Sequence, residues 1–140
     1  MMKEWEMLCT AGNECFNQCQ WHKAKHFYLS ALVIMDELFS SSPSDDAVML
    51  AWLVTHHNLA SLYGATGDKD EQIKHLTTPF IVLRDQLRVT APSDGHYPTI
   101  LHALNKCKLE LSLNTDSSSI KSQQSTLENV NPAKPGDTIH

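Results

Sequence analysis

One short stretch carries two thiols and two imidazoles, Cys15-x3-Cys19-x2-His22-x3-His26. Cysteine sulfur and histidine nitrogen are the usual ligands of tetrahedral zinc, so these four are the metal candidates of the chain. Their spacing is not one of the common finger patterns. Cys15 belongs to the packing face of one helix, and His22 and His26 lie on the next, where a four-residue step gives a shared face rather than a closed cage. The expectation is therefore no metal and no other cofactor: a buried cysteine, a turn cysteine and two exposed histidines.

Other candidate groups also reduce to structural roles. His56 and His57 are adjacent on a helical stretch, where neighbours point about 100° apart and cannot chelate one ion together. His75 and His102 have no carboxylate or nucleophile that sequence can place beside them. The carboxylates Asp36-Glu37, Asp45-Asp46 and Asp68/Asp70/Glu71 fall at helix boundaries, where acidic groups complement the positive end of the helix. The chain contains no GxGxxG, GxxxxGK[ST], GxSxG or HExxH pattern, and Cys9, Cys15, Cys19 and Cys107 carry no local signature of a cysteine nucleophile. No catalytic residue is assigned, and the expectation is a protein that is not an enzyme.

The elements that position these residues are helices. The chain has 140 residues, 41% hydrophobic and 19% charged, with a formal net charge of -5. That length suits one small domain, and the acidic balance argues against a nucleic-acid partner, which needs a basic face. No apolar run approaches the roughly 20 residues of a membrane helix. The start, Met1-Met2-Lys3-Glu4-Trp5-Glu6, shows no apolar signal region. Four cysteines in such a chain suggest reduced thiols and a cytoplasmic location.

Apolar residues recur at three- and four-residue steps over five stretches, near 3–18, 20–39, 43–65, 69–87 and 97–113, and no stretch alternates with period two. The fold class is therefore all-α. Ser42 is the expected cap of the third helix with Pro43 at its first position. The run Val48–Val54 is apolar all round, so neighbours must cover it on several sides. Asp68 and Glu71 form a capping-box pair for the fourth helix, and Pro79 should kink that helix or end its first turns. Residues 1–113 make the helical domain. Residues 114–140, rich in Ser, Thr, Asn, Gln and Pro, are expected to form a flexible, disordered polar tail.

The segment Leu8-x-x-Ala11-Gly12-x-x-Cys15 followed by Trp21-x-x-Ala24-x-x-x-Tyr28-x-x-Ala31-Leu32 resembles a tetratricopeptide repeat, a short degenerate member of bacterial type. Gly12, Ala24 and Ala31 occupy the small-residue slots, and Tyr28 the aromatic one. Asn58–Asp68 resembles the first helix and turn of a second unit, with Ala60, Tyr63 and Gly67 in place. Its second helix departs from the pattern, with Gln72 and Pro79 where alanines belong. Gly12 and Ala60 stand about 48 positions apart, against roughly 34 in the family.

The resemblance implies antiparallel helical hairpins stacked as a short array, whose first helices line a concave groove for a peptide or partner helix. Cys9, Asn13, Phe16 and Asn17 of the first unit and His57, Ser61 and Gly64 of the second would face it, while His56 would pack. An asparagine amide can both donate to and accept from a peptide backbone, which suits Asn13 and Asn17 to that role. The expected function is a non-catalytic protein-interaction scaffold or adaptor. A small Cys/His metal-binding regulatory protein is the alternative, with a small enzyme behind it. Because a stack of about three repeats is needed for stability, a homodimer covering the open ends is also expected as an option.

Overall fold

The structure is a computed structural model that describes residues 2–115. These form α1 (Met2–Asn17), α2 (Trp21–Ser41), α3 (Asp46–Thr66), α4 (Lys69–Val89) and α5 (Tyr97–Thr115), with no strand among them. The polar segment from 116 onward lies outside the described residues. Asn114 and Thr115, placed in the tail by composition, instead belong to the last turn of α5.

Local signals at the turns account for most boundaries. Gly67 ends α3 in the left-handed conformation at φ 82°, its N–H bonded to Gly64 O, while Asp68 N–H reaches Tyr63 O at 2.9 Å. That pair of bonds satisfies carbonyls that have no partner inside the helix. The α1–α2 turn repeats the arrangement around Cys19 at φ 60°, with Gln20 N–H bonded to Cys15 O at 2.8 Å and Cys19 N–H to Phe16 O at 3.0 Å. Asp68 caps α4 by accepting from Glu71 N–H at 3.3 Å.

Two boundary expectations are corrected. Asp45, rather than Ser42, caps α3, accepting from Val48 N–H at 3.1 Å. Ser42 is occupied with the end of α2, where its N–H bonds Leu38 O at 2.8 Å. Pro79 does not end α4, which runs unbroken from Lys69 to Val89 with Pro79 buried inside it. Leu76 and Leu83 on either side are buried in the core, so packing outweighs the missing backbone hydrogen bond.

Consecutive helices pack against each other in antiparallel pairs. The side-chain bonds show the sense: Tyr28 near the start of α2 meets Asn13 late in α1. Trp52 early in α3 meets Asp36 late in α2. Gln86 near the end of α4 meets Pro43 just before α3, and Gln72 at the start of α4 meets Asn114 at the end of α5. The odd-numbered helices also touch one another, α1 with α3 and α3 with α5, and form one layer. Central in that layer, α3 is covered from several sides, as the apolar run required.

Small side chains mark the close approaches. Ala24, Ala31 and Ala60 are buried, and Gly12 lies so near Tyr28 that an added Cβ would stand 2.5 Å from its ring. Ala24 and Tyr28 join Leu59, Leu62 and Tyr63 in one apolar cluster. Met35, Met49, Trp52, Leu53, Leu83, Ile100 and Leu104 anchor the larger one toward α5. Among the described residues no helix is long and apolar enough to cross a membrane.

Candidate functional site

The odd-numbered layer sits together at its polar seams. Trp5 Nε1–H of α1 donates to Thr55 Oγ1 of α3 at 2.7 Å, and Thr55 in turn donates to Ala51 O. Asn58 Nδ2–H approaches Cys9 Sγ at 3.9 Å, a weak contact one helix turn further along.

That close packing changes the expected groove. Cys9, Asn13 and His57 are buried in the seams rather than presented on an open surface. Asn13 accepts the Tyr28 hydroxyl at 2.7 Å, so its amide is committed to holding α1 against α2. Phe16 is half-buried, packed edge-on against Trp21 at 5.2 Å. Ser61 is half-buried, and Asn17, at the end of α1, is exposed.

What α3 does show to solvent is a narrow strip: Ala47 and Leu50 exposed, Val54 and Ser61 partly so, and Gly64 exposed. Steps of three, four and seven residues keep these positions on one side of a helix. On the same geometry Asn58 and His57 flank the strip. Asn58 turns toward α1, where it meets Cys9, and His57 turns toward α5, where it feels the Lys106 ammonium. Both are more than nine-tenths buried, and His57 Nε2 and Asn58 Oδ1 have no hydrogen-bond partner. Orphaned buried polar atoms are uncommon and carry unused bonding capacity. Burial, reinforced by Lys106, pushes the His57 pKa down to about 4, so the ring is neutral at physiological pH.

A second polar cluster lies on the opposite side of α3, and its cross-helix contact has no signal in the spacing. Glu71 beside His75 is an i,i+4 step, however, and corrects the expectation that no carboxylate stands by that histidine. His56 Nδ1 stands 3.0 Å from Nδ1 of His75 on α4, both rings buried. Tyr63 stacks on His75 with ring centres 5.6 Å apart, and Trp52 meets His56 edge-on at 4.7 Å. Glu71 Oε1 lies 3.7 Å from the other nitrogen of His75. A further histidine that pattern reasoning missed, His96, leads into α5 and pairs with Asp46 at the start of α3.

The four metal candidates are not gathered. Cys15 is half-buried, Cys19 sits exposed at the turn, and His22 and His26 are exposed on α2. No three His, Cys, Asp or Glu side chains among the described residues are grouped so as to hold a metal ion. Burial pushes the thiols of Cys9 and Cys107 up to about 12, leaving both protonated and poor as nucleophiles.

Fold and seams together define an all-α array of helical hairpins with one partly open central helix. Residues 3–132 match the model of the family described as "Protein of unknown function (DUF2753)", and the chain belongs to that family. No curated protein and no solved structure matches it.

Proposed function

We propose that the chain is a non-catalytic protein-interaction module, a tetratricopeptide-like scaffold that holds a peptide or partner helix along the open strip of α3. The observation that carries this is the strip itself. A helix otherwise enclosed by its neighbours leaves Leu50, Val54 and Ser61 accessible along one side. Apolar side chains supply area for a partner, and the Ser61 hydroxyl beside them supplies a directional bond. The buried small residues at 12, 24, 31 and 60 are consistent with the tetratricopeptide resemblance. The tuning of the titratable groups fits a binding role better than proton transfer: His57 is held neutral, and the buried thiols stay protonated. All four cysteines are free, which suits a reducing compartment, and the proposal puts the module in the cytoplasm.

A displayed random-peptide library selected on the purified chain tests the reading. Enriched peptides should bind Ser61→Arg, whose longer side chain covers the strip, at least tenfold more weakly. Their affinity for Val33→Asp, on the exposed side of α2, should be unchanged. Selected peptides that bind Ser61→Arg and the unaltered chain equally would remove the strip as the site.

A further inference from the structure

The His56–His75 pair joins α3 to α4 at an unusual place in α4. Pro79 follows His75 by one α-helical hydrogen-bond step and has no N–H, so the His75 carbonyl lacks its ordinary donor. The first half of α4, residues 69–78, is thus tied to the second half by one backbone bond fewer than a regular helix provides. Its polar and ring contacts with α3 include the imidazole pair and the stack of Tyr63 on His75. Beside them are the buried Leu76 and the packing of Gln72 on Gly64, while Gln72 also bonds Asn114 of α5 at 3.1 Å.

A hydrogen bond between two imidazole nitrogens at 3.0 Å requires one N–H and one bare nitrogen. Two neutral rings meet that requirement. One added proton is also accepted, because the charged ring still donates to a bare nitrogen on its neighbour. A second proton sets two N–H groups head to head in a space from which water is excluded.

The charged surroundings grade these steps. From α4, Glu71 lies 3.7 Å from His75 Nε2, and Lys74 stands nearby. From α2, Asp36 faces the pair, and Lys25 lies over the Tyr63 ring at 5.9 Å. From α3 come His57 and Tyr63. Burial is the largest influence and holds both imidazoles below the ordinary histidine range. The facing His75, His57 and Lys74 add to it at His56. At His75, Lys74 adds to it while Glu71 and Asp36 oppose. A first proton is therefore best compensated on His75, and a second has no compensating carboxylate at His56.

We propose that His56 and His75 form a proton-sensitive latch: acidification breaks their shared hydrogen bond and releases residues 69–78 from α3, uncovering Tyr63 and Leu76. In the latched chain the pair holds at most one proton, whereas rings freed into water each take one as pH falls below about 6.5. The released state binds more protons, so falling pH favours it, by about tenfold per pH unit for each extra proton. Above that range the latch is fully closed.

Hydrogen exchange of the full chain, followed by mass spectrometry at pH 7.5 and pH 5 and corrected for intrinsic rates, tests this. Protection over 69–78 should fall at least tenfold at the lower pH, while protection over α1 and α2 holds. In His56→Leu/His75→Phe, which replaces both rings by apolar groups, that difference should vanish. If the double variant does not fold, nitrogen chemical shifts of the two rings in the unaltered chain decide. The latch predicts no more than one proton on the pair while α4 stays protected. Two rings that each titrate near pH 6.5 with α4 still protected, or a pH effect that survives in a folded double variant, would overturn it.

Discussion

Adding a single methyl group at position 12 tests how α1 and α2 are held. A Cβ built on Gly12 meets Tyr28 Cε1 at 2.5 Å, Cδ1 at 2.7 Å and Cζ at 3.2 Å. The ring cannot easily retreat, because it is fully buried and its hydroxyl is bonded to Asn13 at 2.7 Å. Overpacking a tight contact costs about 1–3 kcal/mol, and a hydrogen bond broken by ring movement adds about 1 kcal/mol. Alanine returns about 1 kcal/mol of helix propensity over glycine. Gly12→Ala should therefore destabilise the chain by about 1–3 kcal/mol, lowering Tm by roughly 4–12 °C. Gly64→Ala meets a softer obstacle. Its Cβ would stand 2.5 Å from Gln72 Nε2, the far end of a flexible, half-buried side chain that donates to Asn114 at 3.1 Å. A propensity gain of about 1 kcal/mol offsets the displaced hydrogen bond, so stability should change by less than about 1 kcal/mol. Urea unfolding followed by circular dichroism measures both. Gly12→Ala at or above the stability of the unaltered chain would refute the close approach of α1 and α2.

Two further outcomes are expected. Cys19 adopts φ 60° without being glycine, so Cys19→Gly should relieve left-handed strain and raise stability by about 0.5–1 kcal/mol in the same assay; a loss would show that the turn is not strained. Cys19 should react with a thiol reagent at pH 8 in the folded chain, while Cys9 and Cys107, raised to about 12 by burial, should react only after unfolding. Equal rates at all three would contradict their burial.

Much of the architecture is written along single helices. The three- and four-residue steps mark all five helices, and the apolar Val48–Val54 run marks α3 as the enclosed one. The small residues at 12, 24, 31 and 60 fall where helices meet. What failed depends on relations between helices. Ser42, Pro43 and Asp45 are all plausible starts for α3, and the choice is made by Ser42 being used at the end of α2. Of the two effects expected of Pro79, a kink or an end, the end does not occur: α4 runs through it with buried apolar neighbours on both sides.

The site was less legible for the same reason. Asn13 looks like a groove residue until Tyr28 claims its amide, and Cys9 and His57 until the neighbouring helices close over them. Whether a flank position is open depends on how near the next helix comes, which no single-helix pattern contains. The His56–His75 contact is beyond such patterns altogether, since it needs the relative rotation of α3 and α4.

The most direct test of the binding account is a backbone NMR titration of the chain with a library-selected peptide. The account predicts the largest amide shift changes at Leu50, Val54 and Ser61 and in the facing turns of α1 and α5. Changes centred on the exposed sides of α2 and α4, with the α3 strip unmoved, would contradict it.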